Sequence, residues 1–141
     1  MPMIDVYLPD DVLPDGADAD LTTQLTHAVL RAEGVTAPGA FHLDNTAAFV
    51  HRLAPQAVGT AGAARARAVR VQVITPPGSL DREGQRQIVR EATDIVAGTV
   101  ATDVRTWVIL TEAAEGGWGI AGTAFGIEEF TELAARVRAA T

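Results

Sequence analysis

The chain has 141 residues, 48% of them apolar and 21% charged, a composition that is ordinary for one globular domain. Its formal charge is -7 and it contains no cysteine, so we expect no nucleic-acid partner, and disulfides and thiolate metal sites are excluded. No apolar run is long enough for a membrane span and no leader pattern precedes the first predicted strand, so we expect a cytoplasmic protein with no membrane partner.

The first half of the chain predicts a strand, a helix and a second strand. Residues 3–8 alternate between apolar and polar types, the pattern of a half-buried strand. Apolar residues at helical spacing then predict a helix with Asp18 or Asp20 as its N-cap and Gly34 as its stop. The run 47–51 is predicted as the second strand.

The second half repeats this order. The sequence predicts a strand over 69–74, a helix from Ser79 to about Ala97 and a strand over 106–111. A glycine-rich segment follows at 116–122. The last apolar residues have the spacing of an amphipathic C-terminal helix: Ile127, Phe130, Leu133, Ala134 and Val137.

The two halves align as an internal repeat within a single predicted domain, residues 1–141. Gly59 matches Gly119, and Ala61-Gly62 matches Ala121-Gly122, which divides the chain into repeats of about 1–66 and 67–141. Each repeat is predicted as a β-α-β unit. Two such units indicate an α+β fold with a four-stranded sheet and two helices on one face. The other face would stay uncovered, so we expect oligomerisation.

Pro2 is the most informative single residue. Removing Met1 would leave a proline with a free amine, and a terminal amine titrates at about 7.7–8.0, a value that burial lowers. A base with a pKa near neutral suits the removal of a proton beside a carbonyl. The alternative is that Met-Pro is only a translation start that precedes an edge strand.

The second half resembles the tautomerase superfamily, and in particular the 4-oxalocrotonate tautomerases (4-OT). The resemblance is strongest over 107–122, where Thr111-Glu112, Trp118 and Gly119-Ile120-x-Gly122 keep the family spacing. The first half matches through Pro2 and its alternating strand. The resemblance implies the fold of tautomerases and MIF, a homotrimer, no cofactor, and an amino-terminal proline that acts as the base on a small carboxylated substrate.

The arginines depart from the family pattern. The tautomerases most similar to this hairpin carry one arginine in the loop after the first strand and another in the strand before Thr-Glu. Here the loop 9–14 is acidic and the strand position is Trp107. Arg105 lies two residues earlier, on the same face of the strand, and we predict it as a catalytic residue that stabilises the enolate. The alternative is a solvated arginine at the strand edge.

Three further residues are predicted to bind substrate. Arg70 lies next to Val69, the position that corresponds to Pro2 in the second repeat; its alternative is a solvent-facing strand residue. Trp107 occupies the family's arginine position. Trp118 is either a wall of the pocket or part of the packing of the hairpin.

Metal and nucleotide cofactors are not expected. The three histidines lack the spacing of metal ligands. The segment Gly117-x-Gly119-x-x-Gly122 matches the dinucleotide fingerprint, but too few residues follow for the helix, strand and acidic residue which that site requires. A tight hairpin explains these glycines better.

Two functions of different class follow from the sequence. The first is a keto–enol isomerase with Pro2 as the base after removal of Met1. The second is a non-catalytic protein of the same fold that binds a small ligand or a partner. The missing loop arginine favours the second, whereas the Met-Pro start and the tryptophan hairpin favour the first.

Overall fold

The computed structural model describes residues 1–140, which form six strands and four helices. The strands are β1 (Met3–Pro9), β2 (Ala47–Leu53), β3 (Ala68–Thr75), β4 (Arg105–Glu112), β5 (Trp118–Ile120) and β6 (Thr123–Phe125). The helices are α1 (Asp18–Ala32), α2 (Ala40–Asp44), α3 (Arg82–Thr99) and α4 (Ile127–Ala139). Short 3-10 turns follow β1 and β2.

Four strands form one sheet in the order β2-β1-β3-β4. β1 runs parallel to β2 and is connected to it through α1, and β3 runs parallel to β4 and is connected to it through α3. β1 and β3 pair antiparallel at the centre of the sheet. The predicted fold of two β-α-β units is therefore confirmed.

Both long helices pack on the same face of this sheet. The alternating residues of β1 and β3 point to that face because successive side chains of a strand point to opposite sides. Each such side chain that leaves water stabilises the fold by roughly 1.5–3 kcal/mol. The central core consists of Ile4, Val6, Leu8, Val69, Val71 and Val73 from the strands with Leu21, Leu25, Ala28, Val29, Ile88, Ala92 and Val96 from the helices.

Neither α1 nor α3 packs on the opposite face of the sheet, although the segment 53–59 lines a cavity with Tyr7, Arg70 and Trp107 at one end of it. Large apolar side chains lie exposed there, with 52% of Phe49, 42% of Trp107 and 44% of Ile109 accessible to solvent. Polar side chains of the central strands lie between them, as the register of the sheet requires. Apolar surface of this kind marks a site of protein–protein contact.

The start of α1 differs from the prediction. Its N-cap is Ala17, which provides no side-chain bond, and Asp18 is already the first helical residue. The Asp18 carboxylate instead accepts hydrogen bonds from the guanidinium of Arg52 on β2. The N-cap prediction was therefore wrong, because a tertiary ion pair engages the side chain that the local pattern assigned to capping.

The start of α3 and the presence of α2 also differ from the prediction. Asp81 caps α3 by accepting a hydrogen bond from the Gly84 N–H at 2.7 Å, so the helix begins at Arg82 rather than at Ser79. α2 has only five residues and was not predicted. A single helical turn is too short for apolar periodicity to reveal it.

The glycine-rich segment forms the predicted hairpin. β5 and β6 pair antiparallel, with Trp118 opposite Phe125. The connecting turn contains Ala121 at φ +48° and Gly122 at φ +84°, a left-handed conformation that favours glycine. Within the described range 1–140, no helix combines the length and the apolar character that crossing a membrane requires.

Candidate functional site

The amino terminus lies inside the protein rather than on its surface. The Met1 amine donates a hydrogen bond to Glu33 Oε2 at 2.8 Å, and only 7% of the Met1 and 4% of the Glu33 side chain is exposed. Pro2 is also buried. Its carbonyl accepts a hydrogen bond from the Ala47 N–H at 3.3 Å, so the chain is fixed to β2 immediately before β1 begins.

The end of α1 places Glu33 beside the amine. Glu33 is the C-cap of the helix, and its N–H donates to the Val29 carbonyl at 3.0 Å. Gly34 follows at φ +83°, the left-handed conformation that commonly ends helices. The Val35 N–H then donates back to the Leu30 carbonyl at 2.9 Å. This turn fixes the backbone of Glu33 at the end of the helix, and the Met1 amine binds its carboxylate.

Two adjoining cavities surround the terminus, which we call together the N-terminal cleft. We name them by size: the inner cavity is the smaller, with a volume of about 220 Å³, and the outer cavity is the larger, with about 800 Å³. Both are lined by Met1, Glu33, Val35, His42 and Phe130. The inner cavity extends to the β3–α3 turn, Pro76, Pro77, Gly78 and Ser79, and the outer one extends along α4 to Arg138.

The cleft contains two buried polar atoms without a hydrogen-bond partner within residues 1–140. They are Glu33 Oε1 and His42 Nδ1. Burial raises the pKa of the Glu33 carboxyl, and the nearby amine opposes this change. Burial lowers the pKa of His42, and the positive amine lowers it further. His42 is therefore neutral at pH 7, and the Glu33 carboxyl is shifted toward its protonated form.

This arrangement is suited to proton transfer. An amine, a carboxyl and a neutral imidazole line one cleft, in which a small molecule would meet fixed groups that donate and accept protons. Across residues 1–140 no cluster of three histidine, aspartate or glutamate side chains has the geometry of a metal site.

The predicted residues Arg70, Arg105 and Trp107 lie at the other end of the sheet from Pro2. Arg70 pairs with Trp107 across β3 and β4, and Arg105 lies opposite Ala68 at the beginning of β3. Arg105 is exposed. These three residues therefore lie on the end of the sheet where β3 and β4 begin.

The N-terminal cleft lies where β3 ends. Met3 pairs with Ile74, near the last residue of β3, whereas Arg105 pairs with Ala68. At about 3.3 Å per residue, the strand from Ala68 to Ile74 spans about 20 Å. Within one chain, the structure therefore does not bring Arg105 and Pro2 together.

The far end of the sheet has its own cluster of polar and aromatic groups. The Arg70 guanidinium carbon lies 4.5 Å from the centre of the Tyr7 ring, and Tyr7 stacks on His51 at 4.3 Å. His51 Nε2 lies 2.6 Å from Asp5 Oδ1. A cavity of about 230 Å³ is lined in part by Tyr7, Arg70 and Trp107, so two of the predicted substrate-binding residues line a cavity other than the N-terminal cleft.

Trp118 belongs to the hairpin. Its side chain is 6% exposed and it pairs with Phe125 of β6. The residues that line the N-terminal cleft do not include it. Within one chain Trp118 packs in the hairpin, and its role as a wall of the substrate pocket stays a prediction.

Sequence reasoning missed Glu33 and His42. Gly34 was predicted as the stop of the first helix, and this signal places the preceding residue at a helix end, but no local pattern indicates that the residue contacts the chain terminus. His42 lies on α2, a helix that the sequence pattern did not predict. Both residues reach the cleft through tertiary packing alone.

Solved structures with the same architecture include a fused 4-OT and a MIF-like protein. A fused 4-OT, described as a symmetric trimer, superposes with a TM-score of 0.73 at 21% identity, covering 87% of this chain and 94% of its own. Pt0534 inactivated by 2-oxo-3-pentynoate superposes with a TM-score of 0.72 at 16% identity, covering 89% and 97%. A MIF-like protein from Entamoeba histolytica gives 0.69 at 14% identity, covering 88% and 98%.

No protein-family model and no curated protein sequence matches the chain. The structural matches cover most of the chain in each case. The chain therefore has the tautomerase fold, as the resemblance in its sequence implied.

Proposed function

We propose that this protein is a member of the tautomerase superfamily and a cytoplasmic keto–enol isomerase, with the Pro2 nitrogen as its base once Met1 is removed. The observation that carries the proposal is the burial of the chain terminus in a cleft of the tautomerase fold. Most chain termini lie in solvent, and a terminus inside a cavity is a placement that a terminal base requires.

The chemistry follows from the nature of the amine. Removal of Met1 converts the Pro2 nitrogen from an amide, which is not basic, into a secondary amine. A terminal amine has an ordinary pKa of about 7.7–8.0, so part of it is neutral near pH 7. It takes a proton from the carbon beside a carbonyl and returns a proton when the enol reverts to the ketone.

Binding of a carboxylated substrate, as we propose it, requires a neighbouring protomer. Arg105 and Arg70 lie on the far end of the sheet from Pro2, so they serve a Pro2 site only across a subunit boundary. The exposed apolar face of the sheet supports a homotrimer, and one fused 4-OT of this fold is a symmetric trimer. In this arrangement, Arg105 stabilises the enolate, and Arg70 and Trp107 bind the substrate.

The test is ketonisation of phenylenolpyruvate by protein whose intact mass shows the loss of Met1. We expect turnover by the wild type and a loss of about 100-fold or more in Pro2→Ala, because that variant keeps a terminal amine but not the pyrrolidine base. An unchanged rate in Pro2→Ala rules out Pro2 as the base. Protein that retains Met1 serves as the control and should be inactive.

One observation favours the alternative of a non-catalytic protein that binds a ligand or partner. The inner cavity is lined by Glu33 and by no arginine within residues 1–140, whereas an enolate needs a positive group or fixed donors. If processed wild-type protein is inactive on phenylenolpyruvate but binds it with micromolar affinity in calorimetry, the binding function replaces the isomerase.

A further inference from the structure

Met1 occupies the space that a substrate of Pro2 would need. Its backbone leads from the Pro2 nitrogen to an amine that lies 2.8 Å from Glu33 Oε2. Three bonds, of about 1.3 to 1.5 Å each, separate the two nitrogens, so Oε2 lies at most about 7 Å from the Pro2 nitrogen. After Met1 is removed, the carboxyl of Glu33 faces the proline amine across this gap.

The geometry points to Glu33 as a second catalytic residue, which exchanges a proton with the substrate oxygen while Pro2 exchanges one with the substrate carbon. This inference rests on the proposed isomerase function. An enol has its reactive carbon and its oxygen separated by one carbon atom, and a gap of this length accommodates such a unit between the two groups.

The backbone of Glu33 is held at the end of α1, and its carboxyl still has bonding capacity. Its side chain is 96% buried, since 4% is exposed, and Oε1 has no hydrogen-bond partner within residues 1–140. A buried carboxyl oxygen without a partner is energetically costly, and a substrate hydroxyl in the cleft would satisfy it. Burial also raises the pKa of this carboxyl, which brings it closer to the range in which it both donates and accepts protons.

None of the other residues that line the inner cavity is suited to exchange a proton with the substrate oxygen. His42 lines the same cavity but is held neutral by burial and by the nearby amine. The other lining residues of the inner cavity are Val35, Phe130 and the turn Pro76–Ser79. Of the described residues at this cavity, Glu33 is the only one with an acidic side chain.

The reaction balances with these two groups. In ketonisation, the pyrrolidinium of Pro2 gives a proton to the enol carbon, the carbon–carbon double bond becomes a single bond, and the O–H electron pair forms the carbonyl. The Glu33 carboxylate takes the hydroxyl proton. When the product has left, this proton returns to the Pro2 amine through solvent in the emptied cleft.

The test compares Glu33→Gln with Glu91→Gln in processed protein. Glu91 is a helical glutamate paired with Arg31 outside the cleft, so its variant is the matched control. Wild type needs a protonated Pro2 and an ionised Glu33, and its kcat/KM for phenylenolpyruvate should fall at both low and high pH. In Glu33→Gln we expect a loss of about 100-fold and no decline on the acid side.

Glu33→Asp keeps the acid and should retain the acid-side decline with an intermediate rate. A purely structural role would instead lower the rate of Glu33→Gln equally at every pH and leave both limbs in place, which overturns the inference. Full activity in Glu33→Gln also overturns it. If Pro2→Ala is inactive in that case, the isomerase proposal stands without Glu33; if wild type is inactive, both proposals fall.

Discussion

At the residue scale, the side chain of Arg52 connects β2 to the loop between β1 and α1. Its guanidinium donates to Asp18 Oδ1 at 2.6 Å and to Asp10 Oδ1 at 2.9 Å. It also donates to the carbonyls of Leu13 and Pro14, each at 2.9 Å. These bonds fasten the acidic loop between β1 and α1 to β2, so the loop that the sequence showed to lack an arginine is bound by one from a distant strand.

We expect Arg52→Ala to lower the free energy of unfolding by about 2 kcal/mol, a value below the sum of its charged hydrogen bonds because both carboxylates are partly exposed. Chemical denaturation measures this difference. Arg65→Ala is the control, since Arg65 makes an exposed pair with Asp11 at 2.8 Å and should change stability by less than about 0.5 kcal/mol. Equal effects of the two substitutions would contradict the role of Arg52.

The pair of Arg52 and Asp18 makes the stability of the protein depend on pH. The hydrogen bond from Arg52 lowers the pKa of Asp18 in the folded protein, so the stabilisation is complete above the unfolded value of about 3.9 and is lost as the pH falls through the lower folded value. We expect the difference in unfolding free energy between wild type and Arg52→Ala to shrink below about pH 4. A constant difference from pH 7 to pH 3 would contradict this assignment.

The sequence predicted residue roles only where a local pattern carries them. The position of Pro2 directly after Met1 can be read from the printed chain, and the alternation of β4 places Arg105 and Trp107 on one face. Glu33 was missed because its significance depends on a contact with Met1, 32 positions away in the chain. Contacts of that length leave no periodic signal.

At the scale of elements, two glycines of α3 have opposite roles. A Cβ added at Gly84 would lie 2.5 Å from the Ala32 carbonyl oxygen, whereas one added at Gly98 would meet no atom within 4 Å. Gly84 therefore permits the close approach of α3 to the end of α1, the same end that positions Glu33.

We expect Gly84→Ala to destabilise the protein by about 1–3 kcal/mol through overpacking. Gly98→Ala, the control in the same helix, should be neutral or stabilise by up to about 1 kcal/mol because alanine is the better helix former. Thermal unfolding monitored by circular dichroism ranks the two variants. If Gly84→Ala is as stable as Gly98→Ala, then α3 can move away from the end of α1 without a loss of unfolding free energy, which contradicts this prediction.

The bounds of helices and strands were predicted best where the apolar periodicity extends over many residues. The strands β1, β3 and β4 were predicted to within one residue at each end, because buried strands impose a strict period of two. The start of β2 was predicted correctly, but the strand continues two residues beyond its predicted end. The helix ends were predicted less accurately. Asp81 caps α3, whereas Asp18 forms an ion pair with Arg52 instead of capping α1, and tertiary contacts decide between these roles. α2 is too short to show any period.

At the scale of the whole molecule, the sheet face opposite α1 and α3 exposes large apolar side chains that no part of residues 1–140 buries. We expect Ile109→Asp to reduce the proposed trimer to monomers, because it places a charge on the exposed apolar face. Val89→Asp is the control, since Val89 is 39% exposed on the helical side and should leave the assembly intact. Multi-angle light scattering distinguishes the two results, and a trimeric Ile109→Asp would place the interface elsewhere.

The sequence predicted the architecture of the sheet, but it did not predict which end of the sheet each candidate site residue occupies. The internal repeat implied two equivalent units, and the topology has them. It did not reveal that Arg70 and Trp107 would lie about 16 Å along the sheet from Pro2. Strand register is set by side-chain packing across antiparallel β1 and β3 rather than by either repeat alone.

The enclosed position of Met1 has a practical consequence for purification. An affinity tag fused ahead of Met1 would turn its amine into an amide, remove the charge beside Glu33, and force the added peptide out past Phe130. In tagged protein, Met1 and the added peptide would therefore block the cleft even when the protein is well folded. A fusion at the opposite terminus leaves the Met1 amine free, and a protease whose cut leaves proline first gives Pro2 a free amine.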